Sequence, residues 1–130
     1  MNARTKVAAL RKLMKKHRVE AYYVPSADPH QSEYLPEDWK RRAWLSGFTG
    51  SMGEVLIGAR RAGLWTDGRY WLQGSMQLPG SGIDLMKMGE PGVPDMPTWV
   101  AKTLKKGQAL GMDPQVVSVA AAESFESALE

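Results

Sequence analysis

Apolar residues open the chain at helical spacing. Ala3, Val7, Leu10 and Met14 step by four, three and four, joined by Leu13, and basic residues fall largely on the other face. That pattern predicts an amphipathic helix. Residues 20–26, "EAYYVPS", are β-rich and closed by Pro25, which predicts a strand. Helix followed by strand points to a layered α/β fold. Residues 26–42, "SADPHQSEYLPEDWKRR", carry two prolines and no clean period; they predict a long loop with a short helix near 36–42. "AWLSGF" (43–48) predicts the start of another strand, "TGSMG" (49–53) a glycine-rich turn, and "EVLIGA" (54–59) a short strand. "AGLWT" (62–66) is the next strand, joined to its predecessor as a hairpin through Arg60 and Arg61.

Asp67 then has the position of a helix N-cap, with residues 68–77 as the helix it starts. Residues 83–89 predict a strand and 90–97 a proline-rich connection. Residues 98–107 predict a helix stopped by Gly107, with lysines in its last turn. Residues 108–114 predict a strand, and 117–130 a helix without a stop signal at Glu130. No internal repeat or low-complexity tract interrupts this order.

At 130 residues the chain is of single-domain size. It has no cysteine, which excludes disulfides, thiolate catalysis and Cys-ligated zinc. No apolar run approaches the roughly 20 residues that span a bilayer, and the N-terminus lacks a signal peptide's apolar core. The expectation is a cytoplasmic domain with no membrane partner. The net charge of +3 is local: Arg4, Lys6, Arg11, Lys12, Lys15, Lys16 and Arg18 crowd the first helix without an acid among them, and the rest of the chain is net acidic. A solvated helix face explains this more simply than a nucleic-acid site or a transit peptide. Trp39, Lys40, Arg41, Arg42 and Trp44 interleave basic and aromatic side chains as stacking platforms do, but a single such cluster is a weak signal.

The chain offers little chemistry of its own. His17 and His30 are its two histidines; His30 and Glu33 form an H-x-x-E pair, but in a proline-flanked loop rather than on a helix. Asp28, Glu33, Asp67 and Asp113 are the carboxylates that could hold Mg²⁺ or Mn²⁺ if the fold brought them together. The glycines at 47, 50 and 53 match neither a dinucleotide fingerprint nor a phosphate loop, and "SGFTGSMG" lacks the spacing of a nucleophile elbow. Arg69 breaks a local rule: it stands in a helix's first turn, where the helix already carries partial positive charge. In α/β sheets the turn after a strand's carboxyl end faces the ligand crevice, so Arg69 is a functional candidate.

Four motifs occur in order: "DPHQSEY" (28–34), "RRAWLSGFTGSMG" (41–53), "LWTDGRYWLQ" (64–73) and "LMKMG" (85–89). Together, over essentially the whole chain, they resemble the N-terminal domain of Xaa-Pro aminopeptidases, in the creatinase/prolidase/aminopeptidase P family, most of all its long three-domain branch. The resemblance implies a mixed β-sheet flanked by helices, similar to the ribonuclease H-like or creatinase N-terminal fold. It implies that residues 1–130 form one non-catalytic N-terminal domain of a larger metallopeptidase that removes the residue preceding proline. Two divalent ions, Mn²⁺ in the family, would lie in a C-terminal catalytic domain with ligands in the order Asp, Asp, His, Glu, Glu. This chain cannot supply that order, because only Asp28 precedes His30 and no Asp precedes His17. No catalytic or metal-binding residue is therefore assigned here. Arg69 resembles the family arginine that reaches toward bound substrate, and His30, Glu33 and Tyr34 would line the same entrance. The implied partners are a proline-containing peptide, the C-terminal domain and further copies of the chain. Nucleic acid is not among them. The family domain runs on to another strand after its last helix, so the resemblance implies truncation at "ESALE". Two alternatives stay open: a self-sufficient carboxylate-metal hydrolase of ribonuclease H type, and a basic nucleic-acid-binding module.

Overall fold

The computed structural model describes residues 2–27, 31, 35 and 40–130. Along these the order is α1 (Ala3–Lys16), β1 (Ala21–Val24), α2 (Arg41–Ser46), β2 (Glu54–Gly58), β3 (Ala62–Thr66), a 3-10 turn (Gly68–Tyr70) running into α3 (Trp71–Gln77), β4 (Asp84–Lys87), α4 (Met96–Thr103), β5 (Leu110–Met112) and α5 (Val119–Leu129). The strands form one sheet in the order β4-β3-β2-β1-β5. The β2–β3 and β1–β2 pairs are antiparallel; β3–β4 and β1–β5 are parallel. The expected mixed sheet is present.

Strand alternation sends successive side chains to opposite faces, and both faces are buried. Val24, Val55, Ile57, Ala62 and Leu64 meet Val7 and Met14 of α1, Leu45 of α2, and Phe48 and Leu78 on one side. Tyr23, Leu56 and Trp65 meet Val100 of α4 and Phe125 of α5 on the other. The molecule is thus three layers, with α1, α2 and α3 on one face and α4 and α5 on the other. Burial on both faces explains why β2 and β3 read as continuous apolar runs rather than alternating ones.

The helix ends follow local chemistry. Asn2 caps α1 through Thr5 N–H, Asp95 caps α4 through Thr98 N–H, and Ser118 caps α5 through Ala121 N–H. Within the α1 stripe Val7 and Met14 are buried, but Leu13 is exposed. Arg11, between Val7 and Met14 on the side of α1 that faces the sheet, donates from Nε to the Gly58 carbonyl at 2.9 Å.

Three sequence expectations shift. "AWLSGF" is not a strand: Arg42, Leu45 and Ser46 are buried at helical spacing in α2, and Gly47, left-handed at φ 78°, ends it. The helix expected near 36–42 begins in the described residues at Arg41; residues 36–39 lie outside them. The helix expected at 98–107 runs Met96–Thr103, because Asp95 and Pro97 start it earlier. Gly107 sits instead in the following turn with φ 86°. The hairpin, the strand at β4 and the last helix lie where the sequence pattern puts them.

Candidate functional site

The site is built where β3 ends. Thr66, fully buried, anchors the strand's carboxyl end by donating from Oγ1 to the Met52 carbonyl at 2.5 Å. Its own carbonyl accepts from Trp71 Nε1 at 2.9 Å and from Met88 N at 3.1 Å. The chain then turns at once. Asp67 is extended (φ −84°, ψ 175°) and its Oδ1 accepts from Arg69 N at 3.0 Å, so it caps the turn as the sequence predicts. The first turn is 3-10, and the α-helix proper begins at Trp71.

The Asp67 carboxylate does a second thing. It accepts from Arg69 Nε at 3.1 and 3.2 Å and from Nη2 at 2.8 Å. This is the planar fork that an arginine makes with a carboxylate. The hydrogen bonds from Arg69 hold the Asp67 carboxyl below its ordinary range, and the Arg69 guanidinium is pushed up in return. The Arg69 side chain is nonetheless 70% exposed. Among the described residues nothing accepts from its Nη1. The guanidinium is therefore aimed by one carboxylate while keeping donors for a ligand. Its carbon lies 5.3 Å from the centre of the Tyr70 ring.

Tyr70 ties the turn to the glycine-rich loop 47–53. Its hydroxyl shares a 2.5 Å hydrogen bond with Ser51 Oγ, and its ring meets Phe48 edge-on at 6.3 Å and 89°. Gln77 Oε1 accepts from Thr49 N at 2.9 Å, and Gln73 Nε2 and Gln77 Nε2 donate to Thr49 Oγ1 at 3.1 and 3.0 Å. A Cβ at Gly50 would collide with the Phe48 ring and come within 2.9 Å of Tyr70. The loop glycines thus serve two needs: one left-handed residue at 47 and a close approach of aromatic rings at 50.

Beneath the loop lies Arg42, only 6% exposed. It donates from Nη1 to the Phe48 carbonyl at 2.7 Å, and from Nε to the Gly53 carbonyl at 3.2 Å and Ser26 Oγ at 3.0 Å. Ser26 Oγ in turn donates to the Gly53 carbonyl. Burial lowers the Arg42 pKa from its ordinary value. Glu54 is the carboxylate that offsets this; burial raises its own pKa, while the hydrogen bond from Tyr23 Oη at 2.8 Å and the Arg42 charge pull it back.

The basic–aromatic cluster does not assemble into one platform. Arg42 is interior, Arg41 is ion-paired with Asp113, and Trp44 carries Lys6 Nζ 4.4 Å over its ring. Trp39 lies outside the described residues. Of the four site residues taken from sequence, the structure describes Arg69; His30, Glu33 and Tyr34 lie outside the described residues, as do Asp28 and Glu33 among the candidate metal carboxylates. The other two, Asp67 and Asp113, are each engaged by an arginine. Among the described residues no three His, Cys, Asp or Glu side chains gather to hold a metal, so the donors on view do not fit one. Among the same residues no helix is long and apolar enough to cross a membrane. Sequence reasoning missed Arg42, Ser51 and the Gln73–Gln77–Thr49 network. For Arg42 a signal existed: it shares a helical face with Leu45 and Ser46, the buried face of α2.

Comparison with known proteins adds the rest. The family model described as Creatinase/Prolidase N-terminal domain matches residues 6–130. Aminopeptidase P2 of Arabidopsis thaliana is 44% identical over 126 residues, covering 95% of this chain and 18% of that protein. A probable Xaa-Pro aminopeptidase P of Neosartorya fischeri is 40% identical over 130 residues, covering 100% of this chain and 20% of that protein. The chain thus spans about a fifth of the length of the curated relatives it matches. Among solved structures, the X-prolyl aminopeptidase of Caenorhabditis elegans, described as a cytosolic enzyme with a di-nuclear active site, superposes with a TM-score of 0.89 at 37% identity. That match covers 98% of this chain and 22% of the other. The N-terminal domain of a putative metallopeptidase from Corynebacterium diphtheriae shares the fold, with a TM-score of 0.70 at 22% identity, over 98% of this chain and 89% of that one.

Proposed function

This chain belongs to the Creatinase/Prolidase N-terminal domain family, and on that footing we propose that it is the N-terminal domain of a Xaa-Pro aminopeptidase. The whole enzyme removes the N-terminal residue that precedes proline. The bond is cut in the rest of the polypeptide, at a pair of divalent ions, manganese in this reading. The domain's part is to form one wall of the substrate entrance and to contribute to assembly of a homo-oligomer in the cytoplasm. What carries the reading is the 40–44% identity across nearly the whole chain to proteins named for that activity.

Arg69 is the residue through which the domain acts. It stands just past the carboxyl end of β3, aimed by Asp67, with no acceptor for Nη1 among the described residues. A guanidinium offers planar donors that suit a peptide carbonyl or carboxylate. In this role it orients the peptide and takes no proton. His30, Glu33 and Tyr34 complete the same wall in this proposal.

The test uses the full-length enzyme. Arg69→Ala should lower kcat/KM for a Xaa-Pro peptide about 10- to 150-fold, the loss expected for one charge-assisted hydrogen bond to substrate. Bound metal and the thermal midpoint should stay as in wild type. An unchanged kcat/KM with a large fall in the midpoint would make the arginine a structural element and remove it from the entrance.

A further inference from the structure

The motif at 85–89, "LMKMG", ends β4 beside the Asp67 turn. β3 and β4 are parallel, and Thr66, the last residue of β3, is the register partner of Lys87, the last of β4. Both strands therefore end at the same edge of the sheet, where open α/β sheets receive ligands. Met88 N continues the ladder to the Thr66 carbonyl, and Glu90 N donates to the Lys87 carbonyl as the chain turns away through Gly89 at φ 84°. The half-buried Lys87 side chain is held in place. Its ammonium lies 5.7 Å from the centre of the Trp71 ring, and that ring is itself fixed by the hydrogen bond from Nε1 to the Thr66 carbonyl. The face of a tryptophan positions a cation without cancelling its charge. Neither ion pair described above involves Lys87; Asp84 and Glu90, the acids nearest in sequence, are exposed and form none with it.

Arg69 and Lys87 thus stand beside neighbouring strand ends with different charge balance. Arg69 and Asp67 together are neutral, and a second carboxylate brought to Arg69 would be repelled by the first. What Arg69 has left to offer is a hydrogen bond to a neutral acceptor. Lys87 keeps a whole positive charge. We propose that Lys87 is a specificity residue of this wall: it receives a carboxylate on the peptide beyond proline, while Arg69 receives a peptide carbonyl. The inference rests on the reading of the domain as one wall of the substrate entrance. An ammonium is a compact point charge with rotatable donors, so it takes a carboxylate from several directions. That carboxylate belongs to the C-terminus of a short peptide or to an acidic side chain. The effect is a preference and not a requirement, because a half-exposed pair is weakened by water and salt.

The full-length enzyme tests this with paired substrates. One pair is a Xaa-Pro tripeptide as the free acid and as the C-terminal amide. The other is a longer amidated Xaa-Pro peptide with Glu or Gln after proline. In wild type the charged member of at least one pair should have the higher kcat/KM, by about 3- to 10-fold, and by less in high salt. Lys87→Met keeps an unbranched apolar stem and removes the charge, so it should bring that ratio to about one. Lys87→Arg should restore most of it. The ratio is taken within each variant, so a smaller folded fraction does not move it. The pair that responds tells the C-terminus from the side chain. A wild-type enzyme indifferent to both pairs, or a ratio that survives Lys87→Met, overturns the proposal. Arg69→Ala, assayed on the same substrates, separates the two readings, because it should lower both members of each pair alike. A silent Arg69→Ala with a selective Lys87→Met removes the arginine's role and keeps the lysine's. A uniform loss in Arg69→Ala with no change of ratio in Lys87→Met keeps the arginine and removes the lysine. A ratio lost in Arg69→Ala alone gives the carboxylate to the arginine and also overturns the proposal.

Discussion

Two arginines flank the loop 47–53, and they live under opposite conditions. Arg42 is inside: its guanidinium is spent on the carbonyls of Phe48 and Gly53 and on Ser26, and burial lowers its pKa. Arg69 is outside: one carboxylate steers it, its pKa is raised, and part of its donor set is unspent. The same side chain holds the backbone in one place and presents a charge in the other. The difference lies in what surrounds the guanidinium. Loop carbonyls that cannot reach water need a donor, and Arg42 supplies it. A turn that already has its cap needs none, so Arg69 can be directed outward. Both are stacked on aromatic rings of one pair: Arg42 lies 5.2 Å from the Phe48 ring centre and Arg69 5.3 Å from Tyr70, and those rings touch edge-on.

The sharpest way to break this comparison is to remove each charge in turn. Arg42→Met should cost about 3–5 kcal/mol of stability, because it strands buried acceptors. Chemical denaturation measures it. Arg42→Lys should recover only part of the loss, since an ammonium cannot serve the planar set of acceptors. Arg69→Ala under the same conditions should leave the denaturation midpoint where it was. A comparable loss from both would mean that the interior and exterior arginines are not different in kind.

Gly50→Ala probes the hinge between the two. The new methyl group must displace the Phe48 ring and press on Tyr70. Overpacking of this kind costs about 1–3 kcal/mol. Because Tyr70 carries the ring beside Arg69, kcat/KM of the full enzyme should fall as well. Lost stability with untouched kinetics would show the two arginines to be mechanically independent.

The smallest effect is a pH effect at Glu54. Its folded-state pKa is raised, first by burial. A raised carboxyl is at its most favourable while protonated, so its contribution is fully present below the unfolded value and is lost as pH rises through the folded one. Glu54→Gln should therefore be more stable than wild type at neutral pH. That advantage should shrink as pH falls through the raised folded value and be gone below the ordinary carboxylate range. Thermal midpoints at several pH values test this; a variant that is less stable at neutral pH would mean that the charge of Glu54 beside Arg42 outweighs its desolvation.

The same contrast explains how much could be read from sequence. The β2–β3 hairpin was legible because two apolar runs flank a short basic turn, and local pattern suffices there. Asp67 was legible as a cap and Arg69 as an oddity, since both are judged against their immediate neighbours. Arg42 was not: beside Arg41, Lys40 and two tryptophans it reads as surface charge, and its burial depends on carbonyls six and eleven residues away. "AWLSGF" misled for a related reason. Its apolar content suits a strand, but its buried positions recur at helical spacing only when Arg42 is counted among them. The start of α4 was missed because Asp95 and Pro97 were read as connection rather than as cap and first turn.

The sheet's order has a consequence for how the chain reaches this structure. β2 and β3 close on each other across a few residues, with Ile57 opposite Ala62. β1 finds its outer neighbour only when Ala21 meets Leu110. Joining distant segments carries a chain-entropy cost that near ones escape, and it slows assembly. During synthesis the N-terminal part emerges first, so one edge of β1 waits without its ladder until residues 110–112 have been made. For that interval the nascent domain presents an open template on which another chain's strand can pair, and three residues of β5, arriving last, close it.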